Sequence, residues 1–495
     1  MVFSSYSFLF IFLPIFFICY FLFNKNFVLV IFSVLFYAVG EPRYIFLLLI
    51  STFINHLFGL HITNNKKLFI ISIVFNVLIL FTFKYFNLFF NSLVTFLNTT
   101  FSTNITLKSS IPLPIGISFY TFQSISYLID VYMKKVNCQK YYYKTLLYIS
   151  MFPQLIAGPI VRYNQIATEI DNRESSYEKI FEGSIRAIIG LSKKVIIADN
   201  LSYLVQYFLQ VNSQSFTKLG GILGIIFYAI QLYYDFSGYS DIAIGLGKII
   251  GFDFEENFSY PFMSKNLSEF WRRWHISLST WFKDYLFYPI LLSKQIKKIR
   301  NKLNKINKKF STLVVDIIAL FIVWFTTGVW HGASLNYFLW GLYLGIVMSV
   351  EHIFMTCIKI KKKILISPIV KIINRLYFFV IIFFSFTIFY FENINDLKMF
   401  FLNLLNHNIP LSNLMVNQYV KNNVFLIIVS LFFLFPIYNN IERLFKNISD
   451  NKIISSYYID KVKNFLLCSV CIILFIISTL FIISTTNSPF LYMRF

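Results

Sequence analysis

Apolar runs of membrane-spanning length recur along this chain, separated by short polar stretches in which Lys and Arg outnumber Asp and Glu. A helix needs about 20 consecutive apolar residues to cross a bilayer. On that measure the pattern predicts spans near 7–23, 27–39, 43–62, 68–84 and 115–132. Others are predicted near 184–210, 219–247, 311–330, 336–357, 369–390, 423–440 and 464–485, eleven or twelve in all. The run 27–39 is short and reads as tilted or half buried in protein. No internal repeat and no domain-separating linker interrupts the pattern, so the expected fold is an all-α polytopic membrane protein, one integral membrane domain over 1–495.

The polar stretches orient the spans. Lys25, Lys66, Lys67, Lys134, Lys135, Lys359 and Lys361 to Lys363 mark inside loops, as do the eight Lys and Arg residues between Lys294 and Lys309. The Gly40-Glu41-Pro42 turn, the polar stretch 91–110 and the stretch 391–420 then fall outside, with both termini. No cation precedes the first run and no small-residue cleavage site follows it, which reads as a retained span rather than a signal peptide.

Two stretches break the pattern. Met151 to Arg162 is apolar but carries Pro153, Gly158 and Pro159, which fits either a re-entrant, cavity-lining segment or a kinked helix. Asp253 to Pro289 mixes Trp271, Trp274 and Trp281 with Arg272, Arg273 and Lys283, the look of an interfacial or re-entrant helix pair on the inner face.

Composition narrows the class. With 57% hydrophobic, 20% aromatic and 13% charged residues, against about 25% charged in soluble domains, no soluble catalytic domain fits. The net charge of +22 lies between apolar runs, where positive-inside topology accounts for it better than nucleic-acid binding. Five cysteines (Cys19, Cys138, Cys357, Cys468 and Cys471) form no framework, and Cys468-Ser-Val-Cys471 has no companion ligands.

Candidate chemistry centres on Phe270 to Ser334. His275 sits among cations and His331 ends a membrane-length run, where an ionisable group is costly unless it has a task. Neither has a metal-ligand companion at i+3 or i+4, and no metal site is expected. Ser237-Gly238 lacks the first glycine of a nucleophile elbow, and Gly245-Leu-Gly247-Lys248 lacks the spacing of a phosphate loop. A histidine suits general-base removal of a proton from an acceptor hydroxyl. Asp235 and Asp241, in an apolar run rich in Tyr and Ser, either hold a histidine or substrate or fix helix packing.

Several motifs together resemble the membrane-bound O-acyltransferases, in the bacterial branch of alginate and peptidoglycan O-acetyltransferases and the teichoic-acid D-alanylation protein. They are Phe8-Leu-Phe-Ile-Phe-Leu-Pro14, Leu113-Pro-Ile-Gly-Ile-Ser-Phe-Tyr-Thr-Phe122, Pro153-Gln-Leu-Ile-Ala-Gly-Pro159, Tyr234 to Asp241, Phe270-Trp-Arg-Arg-Trp-His-Ile-Ser-Leu-Ser279 and Trp330-His-Gly332. The sequence departs from that pattern at Leu344, where many relatives carry histidine, and at Tyr288 to Leu292, which lacks a Gly-Gly turn. The resemblance implies that His331 is catalytic and that His275 lies along the same tunnel. It also implies no permanently bound cofactor, acetyl-CoA as a cytoplasmic donor, a polysaccharide acceptor, an outer-face partner acyltransferase and a bacterial inner membrane. In that scheme His331, beside Trp330, is the general base and His275 or Asn336 orients groups, while Arg272, Arg273 and Lys283 either bind CoA phosphates or snorkel. D-alanyl or other acyl transfer is the nearest alternative. A transporter or flippase of a glycan or acyl carrier would use Asp235, Asp241 and the broken segment without making a bond.

Overall fold

The computed structural model describes residues 2–107, 109–357, 367–437, 443 and 456–484, and among them helices occur without strands. Helices α1 (Phe8–Leu22), α2 (Lys25–Gly40) and α3 (Ile45–His61) are apolar but short, roughly 22–26 Å at about 1.5 Å per residue. Helix α4 (Lys66–Phe101) is the longest, at 36 residues. Then come α5 (Ile117–Tyr132), α6 (Tyr142–Ser150), the single turn α7 (Phe152–Leu155), α8 (Tyr163–Asp171) and α9 (Tyr177–Ser192). A π-helical turn, Lys193–Ala198, joins α9 to α10 (Asp199–Phe208), and α11 (Lys218–Ile249) follows. Two short helices, α12 (Leu267–Trp271) and α13 (Ile276–Phe282), precede α14 (Tyr288–Leu292), α15 (Lys294–Asn304), α16 (Lys308–His331) and α17 (Leu335–Cys357). The rest are α18 (Pro368–Tyr390), α19 (Ile394–Leu405), α20 (Leu414–Asn422), α21 (Val424–Phe432) and α22 (Ser456–Ser484).

Six helices among the described residues are long and apolar enough to cross a membrane: α4, α11, α16, α17, α18 and the Lys461–Ser484 part of α22. The pair α20 and α21, bent by 60°, is long and apolar enough for either a broken span or a re-entrant loop. The fold class expected from sequence is borne out, with fewer full-length spans than the hydropathy pattern implies. The cations at Lys359 and Lys361 to Lys363 and the C-terminal tail lie outside the described residues.

Two stretches expected as loops are wholly or partly helical, and two further regions take definite form. The polar stretch 91–110 is not all loop, because α4 continues to Phe101 and breaks only at Ser102, where φ is +51°. Along this extension Asn87, Asn91 and Asn98 each donate to and accept from the backbone of the returning strap, at Ile111, Ser109 and Ile105. The basic stretch after Lys294 is a helix, α15, capped by Ser293. The stretch 391–420 carries α19 and α20. Of the interfacial and re-entrant forms expected for 253–289, burial of Trp274 and Trp281 fits the re-entrant one.

Two hydrophobic cores meet along α11. One gathers α1, α2, α5, the segment 147–163 and the C-terminal half of α11. The other gathers α10, the N-terminal half of α11, Phe262 to Trp274, α17 and α18. Apolar burial offers little driving force between helices in lipid, so close backbone approach carries the packing. A methyl group on Gly190 would lie 2.5 Å from the Gly238 carbonyl oxygen, and one on Gly183 would lie 2.6 Å from that of Gly245. The seven-residue spacing of both pairs brings α9 and α11 together antiparallel. Gly328 and Gly341 play the same part between α16 and α17.

Gly190→Ala is expected to lower the thermal midpoint of the detergent-solubilised protein, since overpacking a tight contact typically costs about 1–3 kcal/mol. Gly345→Ala, which would meet only the Phe321 and Trp324 side chains at 3.3 Å or more, is expected to shift it much less.

Candidate functional site

His331 is the last residue of α16, and its position is set by α4. The final carbonyls of a helix have no partner within it and carry its negative pole. Here Lys84 donates to the Trp330 carbonyl, and the Tyr85 hydroxyl donates to the carbonyls of Val329 and Gly332. The Lys84 ammonium also lies 5.0 Å from the centre of the Trp330 ring, which packs on Phe122 with centroids 5.4 Å apart. The His331 imidazole meets Trp340 and Phe389 edge-on, each at 5.0 Å. It is 6% exposed.

His275 is held differently. It is the N-cap of α13 at φ +44°, a left-handed conformation uncommon for a residue with a side chain. Neighbouring backbone braces it, with Ser259 N–H donating to the Arg273 carbonyl and Ile276 N–H to the Asn257 carbonyl, both at 2.9 Å. The Asn257 amide is oriented by its surroundings, because its Nδ2 donates to the Gly158 carbonyl (3.1 Å), which can only accept. Its Oδ1 therefore accepts, from the Ser277 hydroxyl at 2.8 Å and from His275 Nδ1 at 3.0 Å. With Nδ1 protonated, the neutral ring carries its lone pair on Nε2. Ser277 Oγ in turn accepts from Ile160 N–H at 2.9 Å.

The broken segment thus has a use. Past α7 the chain turns at Gly158, φ +114°, and runs without helix through the buried Ile160 and Val161. Non-helical backbone at membrane depth needs partners inside the protein, and Gly158 and Ile160 find them on Asn257 and Ser277. The reading of 151–162 as an irregular segment enclosed by protein fits better than a kinked helix.

Both histidines line one narrow cavity of about 40 Å³, walled by Phe236, Trp271, Trp274, Trp340, Phe386 and Phe389. That is room for about one water molecule, at about 30 Å³ each. The cavity sits where the two cores meet, with Phe236 and Leu278 of its lining in one and Trp274 and Trp340 in the other. Among the described residues no cluster of His, Cys, Asp and Glu could hold a metal ion.

The remaining candidates lie off the cavity wall. Asp241 pairs with Lys193 and Arg186 at 2.6 Å each, and Asp235 pairs with Lys194 at 2.7 Å, so both carboxylates clamp α11 to α9 and the π-turn. Asn336 donates to the Phe391 carbonyl and ties the start of α17 to the end of α18. Arg273 pairs with Glu269 at 2.8 Å, while Arg272 and Lys283 are exposed. Three residues the sequence reading passed over help shape the site: Lys84, Asn257 and Glu351, whose carboxylate accepts from the Leu267 and Ser268 N–H groups at the start of α12. Lys84 at the end of one predicted span and Glu351 inside another left a signal as lone charges among apolar residues, whereas Asn257 left none.

The model of the membrane-bound O-acyltransferase family matches residues 134–391, a stretch that contains both histidines, Asn257 and the broken segment. The chain belongs to this family. It is similar to the probable alginate O-acetylase of Pseudomonas aeruginosa, 38% identical over 364 residues, 71% of this chain and 66% of that protein. It is also similar to the peptidoglycan O-acetyltransferase of Helicobacter pylori, 32% identical over 394 residues, 71% of this chain and 70% of that protein. The teichoic acid D-alanyltransferase of Bacillus subtilis is 31% identical over 247 residues, 48% of this chain and 59% of that protein. The match thus spans just under two thirds of the Pseudomonas protein's own length. The family resemblance read from the motifs is borne out.

Asn257→Ala is expected to slow acyl transfer by roughly tenfold to a hundredfold, the range typical of groups that orient a reacting side chain. Asn257→Asp keeps an acceptor for His275 Nδ1 and is expected to retain more activity. Lys84→Met uncovers the end of α16 and is expected to cost about 1–2 kcal/mol of stability, read as a lower thermal midpoint, with Lys84→Arg intermediate.

Proposed function

We propose that the chain is an O-acetyltransferase of a bacterial inner membrane. It takes acetyl from cytoplasmic acetyl-CoA and passes it toward a cell-surface or cell-wall polysaccharide, peptidoglycan or an exopolysaccharide, with an outer-face partner acyltransferase completing delivery. The observation that carries this reading is the shared cavity. His275 and His331 lie 56 positions apart in sequence, are positioned by unrelated networks, and still line one cavity. The cavity's small size, about 40 Å³, supports a short acyl group over a long one. The greater extent of the match to O-acetylases than to D-alanyltransferases supports the same donor.

In this mechanism His331 removes the proton of an acceptor hydroxyl as its oxygen bonds to the thioester carbonyl carbon. The carbonyl electron pair moves onto oxygen, then returns as the carbon–sulfur bond breaks. The leaving thiolate takes the proton from His331, giving an ester and a free thiol. His275, with its lone pair on Nε2, orients the acceptor by accepting from a neighbouring hydroxyl on it, leaving the attacking hydroxyl's proton to His331. The apolar walls exclude water that would hydrolyse the thioester. Exposed Arg272 and Lys283 supply positive charge for the CoA phosphates.

The test is the ester-linked acetate of purified cell-wall and surface glycans in wild type, a deletion strain and that strain complemented with His331→Ala. Acetate is expected to fall in one glycan in both mutants, with the His331→Ala protein present in the membrane. Unchanged acetate in every fraction contradicts the reading.

A further inference from the structure

The proposed reaction leaves one charge unassigned, the oxyanion that forms when the hydroxyl adds to the thioester carbonyl. Catalysis of acyl transfer gains most from a fixed donor aimed where that charge develops. Both histidines are already committed in the scheme, one taking a proton and the other accepting a hydrogen bond. Of the other polar side chains on the cavity, Thr327 donates to the Val323 carbonyl at 2.8 Å, and Ser385 Oγ accepts from Trp340 Nε1 at 2.9 Å, which leaves it a rotatable hydroxyl proton rather than a donor of fixed direction.

Trp271 differs. Its ring lines the cavity with both histidines, and its indole nitrogen is buried with no hydrogen-bond partner among the described residues. An indole N–H can only donate, and a buried one ordinarily finds a partner. Trp281, by contrast, donates to the Phe122 carbonyl at 3.0 Å. The Trp271 ring is fixed from several sides, edge-on to Trp324 at 4.8 Å and to Trp340 at 5.9 Å. Its helix is anchored at the other end by Glu351 and by Asn266, which accepts from Glu269 N–H. A buried indole N–H with nothing to donate to, on a ring that lines the cavity, is available to an oxygen that arrives with a ligand.

We propose that Trp271 Nε1–H is the oxyanion donor of this site. It binds the carbonyl oxygen of the acetyl thioester and strengthens that bond as the carbonyl electrons move onto oxygen. When the carbon–oxygen double bond re-forms and the thiolate leaves, the N–H is released unchanged, with no proton transferred. This rests on the acyl-transfer reading above and adds a third catalytic residue to it.

The experiment follows thiol release from acetyl-CoA in the presence of a glycan acceptor, using the full chain in detergent or vesicles with its outer-face partner. Trp271→Phe keeps an aromatic ring but removes the donor, and is expected to lower kcat by about 10²–10³-fold, with KM for acetyl-CoA within about twofold. Trp271→His restores an N–H and is expected to exceed Trp271→Phe. Wild-type kcat in Trp271→Phe, a raised KM with kcat kept, or equal losses in both variants overturns the inference. Wild-type chain that releases no thiol overturns the acyl-transfer reading and the inference with it. A second measurement needs no variant to fold. In wild-type chain with 15N-labelled tryptophan, six residues in all, saturating acetyl-dethia-CoA, whose ketone cannot transfer, is expected to move one indole N–H signal downfield. No such movement overturns the proposal.

Discussion

A polar atom carried to bilayer depth has no water to bond, so it must be satisfied within the protein or reserved for a ligand. The interior of this chain follows from that constraint. The carboxylates of Asp235 and Asp241 are neutralised by Lys194, Lys193 and Arg186. The open end of α16 is closed by Lys84 and Tyr85, and the broken backbone at Gly158 and Ile160 bonds Asn257 and Ser277. Each of these contacts also places something: α11 against α9, His331 at the seam of the two cores, and His275 opposite it. Stability and site geometry are therefore hard to separate, and a variant that removes one partner of a buried pair tests both.

The helical class and the two histidines were legible in the sequence because each left a local signal. Long apolar runs give α4, α11, α16, α17 and α18 directly, and an imidazole at the end of such a run is conspicuous. Less legible were contacts that join distant segments. Asn257 looks like any polar residue of an irregular stretch until Gly158, 99 positions earlier, fixes its amide. Lys84 reads as the boundary of a span until α16 is seen to end beneath it. Trp271 reads as interfacial from its neighbours Arg272 and Arg273, because hydropathy does not show that an indole turns inward while the cations beside it face out. The extension of α4 was missed for a related reason, since its asparagines look like loop residues while serving as hydrogen-bonding rungs for the strap.

Family membership and local geometry bear on different questions. The family match covers residues 134–391, so it reaches the cavity but not Lys84 or the strap. The proposed roles of individual residues rest on the chemistry of the cavity itself, which presents two imidazoles, one uncommitted indole donor and apolar walls around a small space. That combination suits transfer of a small acyl group between oxygen and sulfur. It offers a transported sugar few polar partners.

The central claim is that His331 and His275 act as one unit on one reaction. The most direct measurement is thiol release by His331→Ala, His275→Ala and the double variant, each confirmed as folded. Residues that act as a unit are strongly non-additive, so the double variant is predicted to be no slower than the more impaired single variant, within about threefold. Losses that multiply across the two positions would contradict the account and separate the two histidines into independent roles.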